Sequence, residues 1–226
     1  MSMIYVMSDI HGCFMEFEEA LSLVDISGDN KLILLGDYIH GGPEPFRVLK
    51  RIMQLERKYG TEKVIVLAGN HEDMAMEGSW PISSDRNGED YDDPENDNDE
   101  PYLLWMQKLR RYYADDKRIF CHAGVDEEAE DLWELGTDDY TFTGKYPAQT
   151  GHFYMDIIAG HVGTAEISYD PRFHDIYFDG ESHYYIDGTV LDSGVIPVLM
   201  VDTEKNTYYQ VSESGPRPIL PYDEIE

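Results

Sequence analysis

The chain has 226 residues, 42% hydrophobic and 12% aromatic, which is enough apolar material for one packed domain and too much for a disordered chain. Its 17 Lys and Arg are set against 46 Asp and Glu, a formal net charge of −29. So acidic a surface repels nucleic-acid backbones and anionic membranes, so neither is an expected partner, and an anionic substrate would need a strongly cationic site.

Taken in chain order, Ile4–Gly12 (IYVMSDIHG) runs a predicted strand into Asp9 and His11. Phe14–Asp25 then places Phe14, Phe17, Leu21 and Val24 on one face at helical spacing. After a turn at Ser27–Asn30, Lys31–Leu35 is a short apolar run of the kind that forms a buried strand. Gly36 breaks it, Asp37 follows, and Gly41-Gly42 opens a turn where backbone and ligand can approach closely. Pro43 suits the first turn of a second helix, amphipathic through Leu55 and ended by Tyr59-Gly60. Lys63–Glu72 (KVIVLAGNHE) is a third strand, running into Asn70, His71 and Glu72. Strand, helix, strand, helix, strand predicts an α/β fold with a parallel sheet and covering helices.

An acidic insert over about 78–100 interrupts this order. Asp85–Glu100 carries nine acids and one base, and reads as a solvated loop that could act as a lid or docking strip. It lacks the Gly and Glu positions of a calcium-binding loop. Pro101–Ala114 predicts a helix with a basic, aromatic end, and Arg118–Gly124 a short strand ending in His122. Asp126–Asp139 reads as helix then loop, and Asp156–Thr164 as a further strand delivering His161. From Asp175 to Val211 the texture becomes short β-rich runs separated by turn residues, expected to form an antiparallel second sheet. From about Ser212 the chain reads as a surface tail, and residues 1–226 as a single domain. Cys13 and Cys121 give no disulfide framework and read as small buried residues. With no export signal before the first strand and no apolar run of membrane-spanning length, a cytoplasmic protein is expected.

Four of the eight histidines, His11, His71, His122 and His161, follow predicted strands, joined there by Asp9, Asp37 and Asn70. Open α/β sheets bind ligands at the C-terminal ends of their strands. Carboxylate, imidazole and amide oxygen together suit first-row divalent metals rather than calcium, and a shared carboxylate would permit a pair of ions. Metals would also supply the positive charge the surface lacks.

SDIHG (Ser8–Gly12), GDYIHGG (Gly36–Gly42), GNHE (Gly69–Glu72), HAG (His122–Gly124) and GHVGT (Gly160–Thr164) together resemble the ordered signature of the PPP branch of the calcineurin-like metallophosphoesterases. The resemblance implies two packed mixed β-sheets flanked by helices in a four-layer sandwich. It further implies that Asp9 and His11 bind a first metal, that Asp37 bridges, and that Asn70, His122 and His161 bind a second. The pair would be manganese, with iron, zinc or nickel as alternatives. His71 would protonate the leaving oxygen while a metal-bridging hydroxide attacks phosphorus.

The departures are as informative as the matches. Where that family's second motif usually reads GDxxDRG, this chain has His40-Gly41-Gly42, so the expected partner of His71 is a histidine and one phosphate-gripping arginine is a glycine. Val125–Ala159, where a second family arginine normally lies, contains none; Lys145 and His152 are its basic residues. Arginine grips phosphate bidentately and lysine as a point charge, so the exchange is not neutral. The expectation is a metal-dependent phosphoesterase acting on phosphate monoesters, as serine/threonine protein phosphatases do. The alternatives are symmetrical hydrolysis of dinucleoside polyphosphates, or a pseudophosphatase that binds without turnover. Arg172, Arg47 and Arg86 are candidates for the missing guanidinium.

Overall fold

Val6 and Ile4 point to one side of their strand, Tyr5 and Met7 to the other, and all four are buried. That alternation, repeated along the central strands, is what builds the molecule. The computed structural model describes residues 2–84 and 98–225. Of the acidic insert, residues 85–97 lie outside the described residues, as does Arg86.

One sheet has six strands: β1 (Met3–Met7), β2 (Lys31–Leu34), β3 (Val64–Val66), β9 (Val198–Asp202), β10 (Thr207–Ser212) and β11 (Gly215–Pro218), in the order β11-β10-β9-β1-β2-β3. The first three are mutually parallel, while β9, β10 and β11 run antiparallel from β1 to the edge. The other sheet holds β4 (Tyr112–Ala114), β5 (Arg118–Cys121), β6 (Asp156–Gly163), β7 (Tyr177–Phe178) and β8 (His183–Asp187), in the order β4-β5-β6-β8-β7 with β5, β6 and β8 parallel. Helices α1 (Phe14–Ser22), α2 (Pro45–Tyr59), α3 (Asn70–Met76) and α4 (Glu100–Met106) lie along the first half of the chain. The short α5 (Trp133–Gly136), α6 (Asp139–Gly144), α7 (Thr164–Ile167) and α8 (Val190–Ser193) follow.

Three apolar cores separate these layers. Ile33, Leu35, Phe120, Ile158, Tyr184 and Leu199 fill the space between the sheets. On the outer face of the first sheet, Leu32, Leu34 and Val64 meet Phe17, Leu49 and Ile52 from α1 and α2. On the outer face of the second, Ile119, Ile157 and Tyr185 meet Trp133 and Phe142. Strands covered on both sides must be apolar at consecutive positions, which is why they read as continuous runs. The four-layer sandwich of mixed sheets is the expected one.

Four local expectations are corrected. Helix α2 starts at Pro45 rather than Pro43. The basic, aromatic end of the 101–114 segment is not helix. Tyr112–Ala114 forms β4, because pairing with β5 and stacking of Tyr112 on Phe142 override helical propensity. The β-rich run after residue 175 does not form one antiparallel sheet, since β7 and β8 join the second sheet while β9 and β10 complete the first. The segment after Ser212 is on the surface but is not a free tail, because Gly215–Pro218 pairs with β10 as an edge strand.

Register positions the site. Met7 pairs with Leu34 and Leu34 with Val66, so β1, β2 and β3 end level. Asp9, Asp37 and Asn70 emerge from those ends within a few residues. In the second sheet Phe120 pairs with Ile158, and an irregularity between Ala159 and Gly163 lifts His161 out of the ladder.

Candidate metal centre

Asp9, His11, Asp37, His40 and His161 all have positive φ, between 49° and 66°. Non-glycine residues there cost about 1–3 kcal/mol each and persist where surrounding structure enforces them. Five such residues in one cluster mark a place where side-chain direction outweighs backbone comfort. The loops are tied backbone to backbone: Ile10 and His11 donate to the Asp37 carbonyl at 2.8 and 2.9 Å. Two glycines of the motifs make room for carboxylates: a Cβ on Gly69 would lie 2.2 Å from Asp37 Oδ1, and one on Gly160 2.1 Å from Asp9 Oδ2.

The candidate donor atoms converge on Asp37, which is 2% exposed. Its Oδ2 lies 3.8 Å from His11 Nε2, 3.7 Å from His71 Nε2 and 3.4 Å from His122 Nε2. Asn70 turns its amide oxygen to His122 Nε2 and His161 Nδ1, each at 3.0 Å. Two overlapping groups result, His11–Asp37–His71 and Asp37–His122–His161, each with donor atoms within 4.8 Å of one another. Asp9 Oδ1 lies 4.0 Å from His11 Nε2, and the Asp9 carboxylate is steadied by the His161 backbone N–H at 3.2 Å. All six residues expected as ligands, together with His71 and His40, therefore meet in one cluster.

Whether this cluster suits metal ions is answered by its donor chemistry. His11 Nδ1 lies 3.1 Å from the His40 carbonyl and 3.3 Å from that of Ile39. Carbonyls accept only, so Nδ1 carries the hydrogen and the Nε2 lone pair faces the carboxylates, the orientation a ligating histidine needs. His122 is fully buried with Nδ1 unpartnered, so its polar function is spent through Nε2. Among the described residues, the ion-pair partners of Asp9 and Asp37 are histidines alone. Burial pushes the Asp9 carboxyl up to about 6 despite His122 beside it, and nearby Asp187 up to about 7 with the charge of Asp9 adding to the effect. Burial pulls His71 and His161 down to about 4. Burial also opposes ionisation of Asp37 and His122, but their mutual attraction wins, holding Asp37 well below the usual range and raising His122 to about 9. Carboxylates paired with imidazoles and with no Lys or Arg counter-ion fit divalent cations, which would take the place of the proton now held on His122.

Sequence reasoning missed three neighbours. Glu72, fully buried, accepts hydrogen bonds from the backbone N–H groups of Asp37, Tyr38 and Gly69 at 2.8, 2.9 and 2.9 Å, stapling the β2 loop to the start of α3. Its place in GNHE marked the residue but not this role. Asp187, the last residue of β8 in the second sheet, belongs to none of the motifs read from the sequence. Trp80 stacks on His40 at 4.5 Å between ring centroids, and no pattern in the sequence distinguishes it. Two candidate arginines are committed elsewhere: Arg172 pairs with Asp170, and Arg47 pairs with Glu44 while lying over Phe14. Lys145 Nζ is likewise held by the Val125 carbonyl and Gln149 at 2.6 Å. Both cysteines are buried, and neither is in a disulfide.

Residues 2–192 match the family model described as calcineurin-like phosphoesterase. A symmetrical bis(5'-nucleosyl)-tetraphosphatase of Nitrosospira multiformis is 31% identical over 127 residues, covering 54% of this chain and 43% of that protein. The chain thus spans less than half the length of that curated relative. Among solved structures, a cold-active protein-tyrosine phosphatase of a psychrophilic Shewanella superposes with a TM-score of 0.63 at 13% identity, covering 96% of this chain and 80% of that one. A serine/threonine phosphatase of Saccharomyces cerevisiae superposes with a TM-score of 0.60 at 13% identity, covering 88% and 72%. At such identities the superpositions speak for the fold alone. The family match spans most of the chain and contains every residue of the converging cluster, and this protein therefore belongs to the calcineurin-like phosphoesterases.

Proposed function

We propose that the chain is a metal-dependent hydrolase of phosphate esters. The observation that carries this is Asp37 Oδ2, one carboxylate oxygen facing two histidine groups at once. Asp9 and His11 would hold one divalent ion, Asn70, His122 and His161 a second, with Asp37 shared between them. When bound, such a pair activates water and neutralises charge on phosphate oxygens. Manganese is the first choice, and iron, zinc and nickel suit the same donors.

His71 is the acid of this reading. Its side chain is 18% exposed at the rim of the cluster, and Nε2 faces the ligands. In hydrolysis an oxygen–phosphorus bond forms with water, the ester bond breaks, and His71 Nε2, neutral at rest because the ring is buried, takes up the proton that the water gives up and passes it to the departing oxygen. Phosphate monoesters, including phosphoproteins, are one substrate class. The names of the sequence relatives support a second, dinucleoside tetraphosphates split symmetrically. Two cysteines that form no disulfide fit a reducing, cytoplasmic setting. No helix among the described residues is long and apolar enough to cross a membrane.

The test is hydrolysis of nitrophenyl phosphate, a phosphopeptide and diadenosine tetraphosphate by manganese-loaded protein, beside Asp37→Asn. Turnover of at least one, abolished by the substitution, is expected. Failure of the loaded wild-type protein on all three overturns the reading.

A further inference from the structure

His40 occupies the position at which the expected motif carries an aspartate, and its surroundings give it a defined task. The ring is buried, 1% exposed. Its Nε2 lies 3.1 Å from the Trp80 carbonyl, and its Nδ1 lies 3.0 Å from His71 Nδ1. The indole of Trp80 stacks on it with an interplanar angle of 10°, closing the face. The segment that supplies Trp80 is itself anchored: Ile82 is buried in the core and the Ser84 carbonyl accepts from the Gly41 N–H at 3.2 Å.

Donor and acceptor directions follow from these contacts. A carbonyl only accepts, so His40 Nε2 carries a hydrogen. Two ring nitrogens facing each other at 3.0 Å hold one hydrogen between them. Among the described residues no carboxylate pairs with the His40 ring, so a buried imidazolium there would stand uncompensated. His40 Nδ1 is then the lone pair, and the shared hydrogen sits on His71 Nδ1.

We propose that His40 is a positioning residue for His71: the Trp80 carbonyl fixes the His40 tautomer, and His40 in turn holds the His71 ring with Nδ1–H inward and Nε2 toward the metal ligands. This rests on the phosphoesterase reading for its kinetic consequence, though not for its geometry. A neutral acceptor orients the ring without adding negative charge beside it. Trp80, the residue that sets it, stands at the entrance to the acidic insert, so the insert's first anchored segment also supports the catalytic histidine. Esters whose leaving oxygen needs a proton depend on this arrangement, whereas nitrophenolate departs without much help.

The direct test is nuclear magnetic resonance of uniformly 15N-labelled, zinc-loaded protein, which detects scalar coupling across an N–H···N hydrogen bond. A coupling between the two Nδ1 atoms, with the proton bonded to His71, is expected. Absence of the coupling, or a proton bonded to His40 Nδ1, overturns the proposal. The kinetic arm compares His40→Asn, whose amide oxygen can accept in place of Nδ1, with His40→Leu, which cannot. On an alkyl phosphate, His40→Leu is expected to lower kcat by about 10²-fold with KM nearly unchanged, while His40→Asn recovers to within about tenfold of wild type. Nitrophenyl phosphate should respond far less. Equal losses in both variants on both substrates, with metal content and fold retained, overturn the positioning role. If wild-type protein hydrolyses no ester, the functional reading fails while the coupling still reports on the hydrogen bond.

Discussion

Glu72 offers the sharpest test of how the site is held together. It is the third residue of α3 and accepts from Gly69, the residue that caps that helix, as half of a capping box. The same side chain accepts from Asp37 and Tyr38, two residues of a loop 35 positions earlier. Replacing it by alanine leaves three backbone N–H groups buried without partners, each worth about 1–3 kcal/mol. The sum exceeds what single substitutions usually cost, and a loss of about 4 kcal/mol is expected once the loops relax. Glu72→Gln keeps one oxygen but presents an amide donor to a backbone donor, and should cost about 1–3 kcal/mol. Urea unfolding of the metal-free protein measures both, and metal titration should show that Glu72→Ala also weakens binding because Asp37 is no longer held. A metal-free Glu72→Ala protein within about 0.5 kcal/mol of wild type would refute the staple.

Two further predictions rest on buried contacts. His183, buried on β8, bonds Asp179 at 3.0 Å through Nδ1 and Glu127 at 3.2 Å through Nε2, and Lys145 reaches the same Glu127 oxygen at 3.2 Å. Burial opposes charging of His183, but these two carboxylates outweigh it and raise the group to about 9. A folded pKa above the ordinary value gives stabilisation that is complete below about pH 6.5 and lost as pH rises through about 9. Thermal unfolding should therefore show stability declining from neutrality to pH 9, and a His183→Gln protein should lack that decline; equal slopes would contradict the assignment. Gly69→Ala places a Cβ 2.2 Å from Asp37 Oδ1, so calorimetry should show metal affinity reduced by about 10–100-fold, and unchanged affinity would mean the loop yields.

Much of this was legible because strand ends and chemistry coincide in the sequence. Asp9, Asp37, Asn70, His122 and His161 each follow an apolar run, and they come together because β1, β2 and β3 run parallel in one sheet, β5 and β6 run parallel in the other, and the loops after them meet. The pairing of β9 and β10 with the first sheet was not legible, since local pattern fixes that a segment is a strand and not which edge it joins. Tyr112–Ala114 misled because its helix-compatible pattern is overruled by tertiary pairing. Trp80 was invisible because it acts through a backbone carbonyl and a stacked ring, neither of which leaves a spacing signature. The arginines proposed from sequence could be weighed only once Arg172 and Arg47 were found paired to nearby carboxylates.

The central claim is that one carboxylate, Asp37, organises two metal sites. Elemental analysis of protein equilibrated with saturating manganese and freed of unbound metal tests it most directly. The account predicts two ions per chain in the wild-type protein, and a loss from both sites together in Asp37→Asn. One ion or none per chain at saturation, or a variant that keeps both, would contradict it.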